Sequence, residues 1–325
     1  MLEKKVTNCI DRKAQELNIQ GDVADTVSKK IQLLTQYINQ ETELTSKEID
    51  ETLSTLIGFF STTLHIPLTA GTKFLRAVKN DNNSLENNVS KLSYIPIDIS
   101  HLAKQGRLNR DGESIYYGCI YLNEIDGVNV AFSETSAEET HSVNILRSKS
   151  VEDLNVYFVG IYDYIHRGIK PRFISQELFS YFEDVYNYQE QHFSESAFLA
   201  HILCDAFLSD ILRRKESGNL YEVTSLLPKT YLEGDHIDGL LYTSVKSEGN
   251  PVIAIKSNSV DLKLTHCSCD NYKTTISQTP TASSNINQSV RVFITMGACV
   301  RLFLPIESYI DNALILVDVL ENNNP

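Results

Sequence analysis

Two arginines, a tyrosine, a glutamate and a serine occur along the chain in an order that could serve one reaction. They are Arg76, Arg107, Tyr117, Glu134 and Ser244. A carboxylate can stabilise positive charge at a reacting carbon, guanidinium groups hold phosphate oxygens, and an aromatic ring can orient a flat substrate group. No Gly-x-Ser-x-Gly motif surrounds Ser244, so we expect it to hydrogen-bond a ligand or Glu134 rather than act as a hydrolase nucleophile.

Four short stretches carry these residues and resemble the RES domain, a family whose members consume NAD. The stretches are Phe74-Leu75-Arg76, Gly106-Arg107-Leu108-Asn109 leading into Ile115-Tyr116-Tyr117, Ala131-Phe132-Ser133-Glu134, and Asp238 to Val245. The family carries a similar Gly-Arg-Phe-Asn stretch ahead of a strand tyrosine, and here Tyr117 stands ten residues after Arg107. The resemblance covers roughly residues 72 to 259.

The resemblance implies cleavage of the bond between nicotinamide and ribose, through a transition state like that of glycoside cleavage. Arg76 and Arg107 would hold the phosphates, and Tyr117 would position the nicotinamide ring. Glu134 would stabilise the ribosyl cation with support from Ser244. The implied catalytic residues are Glu134, Arg76, Tyr117 and Ser244. The implied NAD-binding residues are Arg107, Asn109, Tyr116 and Tyr242.

Several residue assignments remain open at this level. Tyr116 and Tyr117 are neighbours that face opposite sides of a strand, so either could be the matching tyrosine. An insertion at residues 123 to 127 lengthens the interval before Glu134 and makes Glu124 a competitor. Without the resemblance, Glu134 would be interpreted as a carboxylate near a helix N-cap, and Arg107 as a solvated loop residue. Leu108, Thr243 and Lys246 replace the aromatic residue, proline and arginine of the family pattern.

Composition limits the classes of partner. The chain of 325 residues has 29 basic and 42 acidic side chains, a net charge of −13, which disfavours nucleic acid and anionic membranes as partners. No apolar run approaches the roughly 18 residues of a membrane helix, and the start lacks a signal-peptide core, so we expect a cytoplasmic protein.

The six cysteines of the chain are sparse and are expected to be reduced. Cys267 and Cys269 beside His266 are weak evidence for zinc, and no metal is predicted.

Periodicity and the resemblance together predict three consecutive segments. Residues 1–67 form a helical region, with a capping box at Thr45 and Glu48, apolar stripes at residues 31–38 and 49–60, and a boundary at Pro67. Residues 68–265 form the RES-like domain. Its predicted strands are Ile115 to Leu122, Val128 to Phe132, Leu154 to Tyr162, Gly239 to Val245 and Val252 to Ile255, and its predicted helices are Ser175 to Tyr188 and Ser194 to Arg214. Residues 266–325 form an extension with a loop at Asn271 to Ser289, strands within Arg291 to Pro305 and a short element at Ala313 to Leu320.

The resemblance, together with the helical pattern before it, implies an α+β protein with a mixed sheet like that of ADP-ribosyltransferases and an N-terminal helical region. The function that the resemblance implies is that of a bacterial toxin of the toxin–antitoxin type, an NAD glycohydrolase or phosphorylase that uses NAD as substrate. An antitoxin or inhibitor protein would be a partner, and the N-terminal helices could serve a homodimer. Two alternatives stay open: a protein ADP-ribosyltransferase, and a non-enzymatic binding protein with a vestigial pocket.

Overall fold

The protein is a mixed α+β protein made of two compact units that interleave along the chain. A computed structural model describes residues 2–61, 64–80, 88–122, 124–135, 142–234, 236–244, 250–277 and 291–302. The first unit comprises Met1–Leu68, Ile95–Ile115 and Leu154–Ser257, and the second comprises Thr69–Tyr94, Tyr116–Asp153 and the chain from Asn258 onward. The sequence predicted consecutive segments instead. Among the described residues, no helix is both long and apolar enough to cross a membrane.

The predicted N-terminal helices are present in the first unit. They are α1 (Lys4–Asn18), α2 (Val23–Ile38) and α3 (Ser46–Thr55), and a π-helical turn, Leu56–Phe60, continues α3. The predicted capping box is confirmed, because the Thr45 hydroxyl accepts from Glu48 N at 3.3 Å and the Glu48 carboxylate accepts from Thr45 N at 2.8 Å. The expected pairing of α2 with α3 is a minor contact, since α2 packs chiefly along a later helix, α8 (Glu195–Arg213).

The sheet of the first unit has strands in the order β1-β5-β6-β7, with labels numbered along the whole chain. These strands are β1 (Leu64–Leu68), β5 (Leu154–Phe158), β6 (Gly239–Thr243) and β7 (Pro251–Lys256). Only the β5–β6 pair among these is parallel. Pro67, predicted as a boundary, lies inside β1 opposite Asn155. At the edge of this unit's sheet, a residue without an N–H group is tolerated.

Helices cover this sheet and connect its strands. They are a 3₁₀ segment at Ile97–Leu102, α6 (Ile161–His166), α7 (Gln176–His192), α8, α9 (Leu220–Thr224) and α10 (Leu227–Tyr231). The predicted helices at residues 175–188 and 194–214 are confirmed by α7 and α8. The strand predicted at residues 154–162 ends at Phe158, because Gly160 adopts a left-handed φ of 97° and α6 begins after it.

Helix α8 buries polar as well as apolar side chains. Asp205 is buried, and its carboxylate accepts from the backbone N–H groups of Gly160 and Tyr162 at 3.0 Å each, which caps the start of α6. Helical spacing in the sequence predicts an apolar face formed by Phe198, Leu199, Leu203, Ala206, Phe207 and Ile211. Of these, Phe198, Phe207 and Ile211 are buried, whereas Leu199 is exposed. The apolar face is therefore rotated from the predicted one, because the helix turns its buried carboxylate towards the N-terminus of α6.

The second unit contains an antiparallel sheet with strands in the order β3-β2-β4-β8-β9. The strands are β2 (Lys73–Asn80), β3 (Ile115–Ile120), β4 (Ser142–Ser150), β8 (Leu264–Ser277) and β9 (Arg291–Leu302). The helices are α4 (Val89–Leu92), α5 (Glu124–Thr135) and α11 (Ser257–Lys263). The strand predictions at β3 and, in the first unit, at β6 and β7 are confirmed.

Residues 128 to 132 were predicted as a strand, and that prediction is wrong because they belong to α5. Val128, Ala131 and Phe132 are buried at helical spacing. A Cβ at Gly127 would lie 3.0 Å from the Leu75 side chain, so the start of α5 lies directly against β2. Packing of this face on the sheet outweighs the strand preference of the valines and phenylalanine.

The C-terminal predictions have mixed outcomes. Asn271 to Ser277 were predicted as a loop, but they continue β8, which pairs with β4. The side chain of Asn271 is accommodated by a cross-strand bond, in which its Nδ2 donates to Asn144 Oδ1 at 3.1 Å. The predicted strand after Arg291 is confirmed by β9. The rest of the predicted loop and the predicted element at Ala313 to Leu320 lie outside the described residues.

His201 should make the stability of the protein sensitive to acid. The ring is buried on α8, Nδ1 donates to the Ala197 carbonyl at 2.8 Å, and burial lowers the pKa of His201 to about 4. Between this value and its ordinary pKa of about 6.5, the unfolded chain binds a proton that the folded protein does not, so stability falls as the pH drops. From pH 6.5 to 4.5, the wild type should lose about 2 kcal/mol more unfolding free energy than His201→Phe.

The measurement is urea unfolding followed by circular dichroism across this pH range. His101→Phe, at an exposed position, is the matched control and should follow the wild-type curve. Parallel pH profiles for the wild type and His201→Phe would contradict the prediction.

Candidate functional site

Arg76 lies on β2 and is held by backbone carbonyls. Its Nε donates to Leu92 O and its Nη1 to Tyr117 O, each at 2.9 Å, and its guanidinium carbon lies 5.6 Å from the centre of the Tyr116 ring. Nη2 makes no hydrogen bond, and no carboxylate pairs with it, within the described part of the chain. Burial lowers the pKa of Arg76 from its ordinary value, although a guanidinium stays protonated. Arg76 is therefore a half-buried cation whose fixed partners are neutral.

Tyr116 is a core residue that supports Arg76. It has no exposed surface, and its hydroxyl makes no hydrogen bond to the described residues. Burial raises the pKa of Tyr116 to about 12. The nearby Ser148 hydroxyl lowers this pKa by a smaller amount, although the two hydroxyl groups do not meet hydrogen-bond geometry. A Cβ at Gly118 would lie 2.8 Å from the Tyr116 ring, so the ring position requires glycine there. Tyr117, which is partly exposed, is the member of the pair that a ligand can reach.

The pairing of β2 with β3 determines which predicted residues share a face. Leu75 lies opposite Cys119 in this register, and both contact α5, since the Cys119 thiol donates to Gly127 O at 3.5 Å. Because side chains alternate along a strand, Tyr117 lies on this α5 face. Arg76 and Tyr116 lie on the opposite face of the same two strands. The two tyrosines left open by the sequence therefore have different surroundings.

Glu134 belongs to α5 and is exposed. Burial, and secondarily the charge of Glu134, raise the pKa of Cys119 to about 12. Because α5 packs on the face of β2 and β3 that carries Leu75 and Cys119, Glu134 lies on the same side of the sheet as Tyr117. The predicted position at a strand end is wrong, and so is the N-cap alternative, because Glu134 lies ten residues into a helix that begins at Glu124. The side chain of the competitor Glu124 lies outside those described.

Arg107 and Asn109 lie in the first unit and organise the backbone. Arg107 donates from Nη1 to Ile211 O at 3.2 Å and from Nη2 to Arg214 O at 2.8 Å, which caps the C-terminus of α8. A cation there also interacts favourably with the helix dipole. The buried Asn109 amide donates to the carbonyls of Lys104, Arg110 and Glu113 at 2.9 to 3.1 Å. The roles predicted for these residues in binding NAD stay predictions.

Tyr242 and Ser244 close the predicted set, also in the first unit. Tyr242 is on β6, and Ser244 directly follows that strand, where its N–H donates to Asn250 O at 2.9 Å. Both side chains are buried. The structure thus groups Arg76, Tyr116, Tyr117 and Glu134 in one unit and Arg107, Asn109, Tyr242 and Ser244 in the other.

Sequence reasoning missed Cys119 and Gly118. Cys119 carries the contact between β3 and α5, and Gly118 makes room for Tyr116. Neither residue belongs to a motif with known chemistry. The sequence shows only that a small residue occupies each face of a strand whose other residues are aromatic or β-branched.

No arrangement of three or more His, Cys, Asp or Glu side chains suited to a metal ion is found in the described ranges. Cys267 sits at a bulge of β8, where Ser268 pairs with Arg147 and His266 with Ser148.

Searches against protein-family models, curated proteins and solved structures find no match to this chain.

Arg107→Ala should lower the free energy of unfolding by about 1 to 3 kcal/mol, because two C-terminal carbonyls of α8 lose charged donors. The measurement is urea unfolding at neutral pH. Arg167→Ala is the matched control, since Arg167 is exposed and pairs only with Asp163 on its own helix, so its loss should cost under about 0.5 kcal/mol. Equal effects of the two substitutions would show that Arg107 does not secure α8.

Proposed function

We propose that the protein cleaves NAD at the bond between nicotinamide and ribose, and that Glu134 stabilises the ribosyl cation. The observation that carries the proposal is that α5, which bears the exposed Glu134 carboxylate, packs on the face of β2 and β3 to which the partly exposed Tyr117 belongs. The leaving group of this reaction is already cationic, so the chemistry needs a fixed negative charge near the ribose more than a strong nucleophile. A tyrosine on the same face can orient the nicotinamide ring.

Arg76 takes a positioning role in this proposal. Its Nη1 holds the Tyr117 carbonyl, and its guanidinium rests on the Tyr116 ring, on the face opposite Glu134. These contacts support the backbone from which the Tyr117 side chain projects. The finer assignment of an ADP-ribosyltransferase or RES-like fold belongs to the same proposal and rests on the four sequence stretches.

Glu134→Gln should reduce nicotinamide release from NAD by at least about 100-fold, because the amide keeps the shape of the side chain but not the charge. The measurement is chromatographic detection of nicotinamide with purified full-length protein, with and without inorganic phosphate. Glu190→Gln is the matched control, since Glu190 is an exposed glutamate on a helix of the first unit. Its rate should equal that of the wild type.

Two outcomes would contradict the proposal in different ways. Full activity of Glu134→Gln would remove Glu134 from the reaction, and no release by the wild type under either condition would remove NAD cleavage itself. Transfer of biotin-labelled ADP-ribose onto lysate proteins by the wild type would instead favour the protein ADP-ribosyltransferase alternative. Phosphate-dependent release would identify a phosphorylase.

A further inference from the structure

The first unit contains a cavity of about 720 Å³ beside α1, which we call the α1 cavity. Its walls include Val6 and Ile10 of α1 and Phe182 and Val185 of α7, with His201 of α8 also in its lining. The volume lies in the range of about 300 to 1,000 Å³ that small-molecule sites occupy in proteins. Apolar and aromatic side chains share this lining with polar ones, such as Ser61 and Gln189, and with charged residues of α1.

The charged residues along the α1 cavity are of both signs, and most of them are exposed. Lys5, Arg12 and Glu16 line it from the surface of α1. Lys13 is partly buried, and its ammonium donates to Gly58 O at 2.9 Å. This mixture gives no strong preference for an anion or a cation, so a neutral molecule fits the cavity best.

Most buried polar groups of the lining already have protein partners. Gln189 accepts a hydrogen bond from the Tyr162 hydroxyl, and Ser61 shares one with the Tyr231 hydroxyl at 2.9 Å. These groups are therefore part of the folded scaffold. They shape the cavity but leave little hydrogen-bonding capacity for a ligand.

His201 differs from these groups. The side chain is 2% exposed, and Nδ1 donates to Ala197 O, which in a neutral ring leaves Nε2 as an acceptor. Nε2 makes no hydrogen bond within the described part of the chain. Nε2 is not fully enclosed by protein atoms, and His201 is part of the lining of the α1 cavity.

We propose that the α1 cavity binds a small, neutral, largely aromatic or apolar molecule that carries one hydrogen-bond donor, and that His201 Nε2 accepts from that donor. The edges of Phe60 and Phe193 near the His201 ring, with ring centres at 6.2 and 4.8 Å, fix the imidazole in place. The inference does not depend on NAD cleavage, because it rests on residues of the first unit and on a different ligand chemistry.

Indole is a suitable probe because it is flat, neutral and has one N–H donor, and 1-methylindole is the matched compound without that donor. The protein has no tryptophan, so indole fluorescence excited beyond the tyrosine band reports the probe alone. We expect saturable indole binding to the full chain, with 1-methylindole binding about five- to tenfold more weakly, as the loss of one neutral hydrogen bond predicts.

Two variants test the location. His201→Phe should weaken indole binding by the same factor and abolish the preference over 1-methylindole, while Val6→Phe should block the α1 cavity and weaken both compounds. Circular dichroism and thermal unfolding establish that each variant is folded. Equal binding of the two compounds by the wild type, unchanged indole affinity in Val6→Phe, or no saturable binding would each overturn the proposal.

Discussion

The register between β2 and β3 is the constraint on which the candidate site depends. Leu75 lies opposite Cys119, and this pair forms the surface on which α5 rests. A shift of one residue would exchange the faces of a strand and place Arg76 under α5. Gly118 contributes to this register because a side chain there would collide with the Tyr116 ring. The positions of Tyr117 and Glu134 therefore follow from backbone pairing and from one glycine.

In the first unit, helix α8 is the element on which the neighbouring structure depends. Its buried carboxylate, Asp205, caps α6, and its C-terminal carbonyls are capped by Arg107. Both interactions place charged groups where backbone dipoles match their sign, which compensates for part of the cost of removing charge from water. Desolvation still dominates at Asp205, whose pKa is raised to about 6. The same helix turns His201 towards the α1 cavity, so stability and a candidate binding site share one element.

Elements with strong local signals could be predicted from the sequence, and those determined by distant packing could not. The Thr45 capping box needed only residues within one turn, and α7 and α8 have long periodic patterns. Residues 128 to 132 have the composition of a strand, yet they form a helix because Leu75, more than fifty residues earlier, supplies the surface on which they pack. Asn271 continues a strand because Asn144 satisfies its amide. Neither partner is visible in a local window.

The same limit applies to the candidate site, where the residue types could be predicted from the sequence but their surroundings could not. The sequence identified chemically capable side chains, but it could not distinguish an arginine that binds a ligand from one that holds a carbonyl. Arg76 and Arg107 each donate to two backbone carbonyls, so their place in a motif can follow from the fold alone. Glu134 is different, because it is an exposed carboxylate one residue before the C-terminal end of α5, where the helix dipole disfavours negative charge. Helix stability therefore does not account for a glutamate at this position, and the proposed chemistry rests most directly on it.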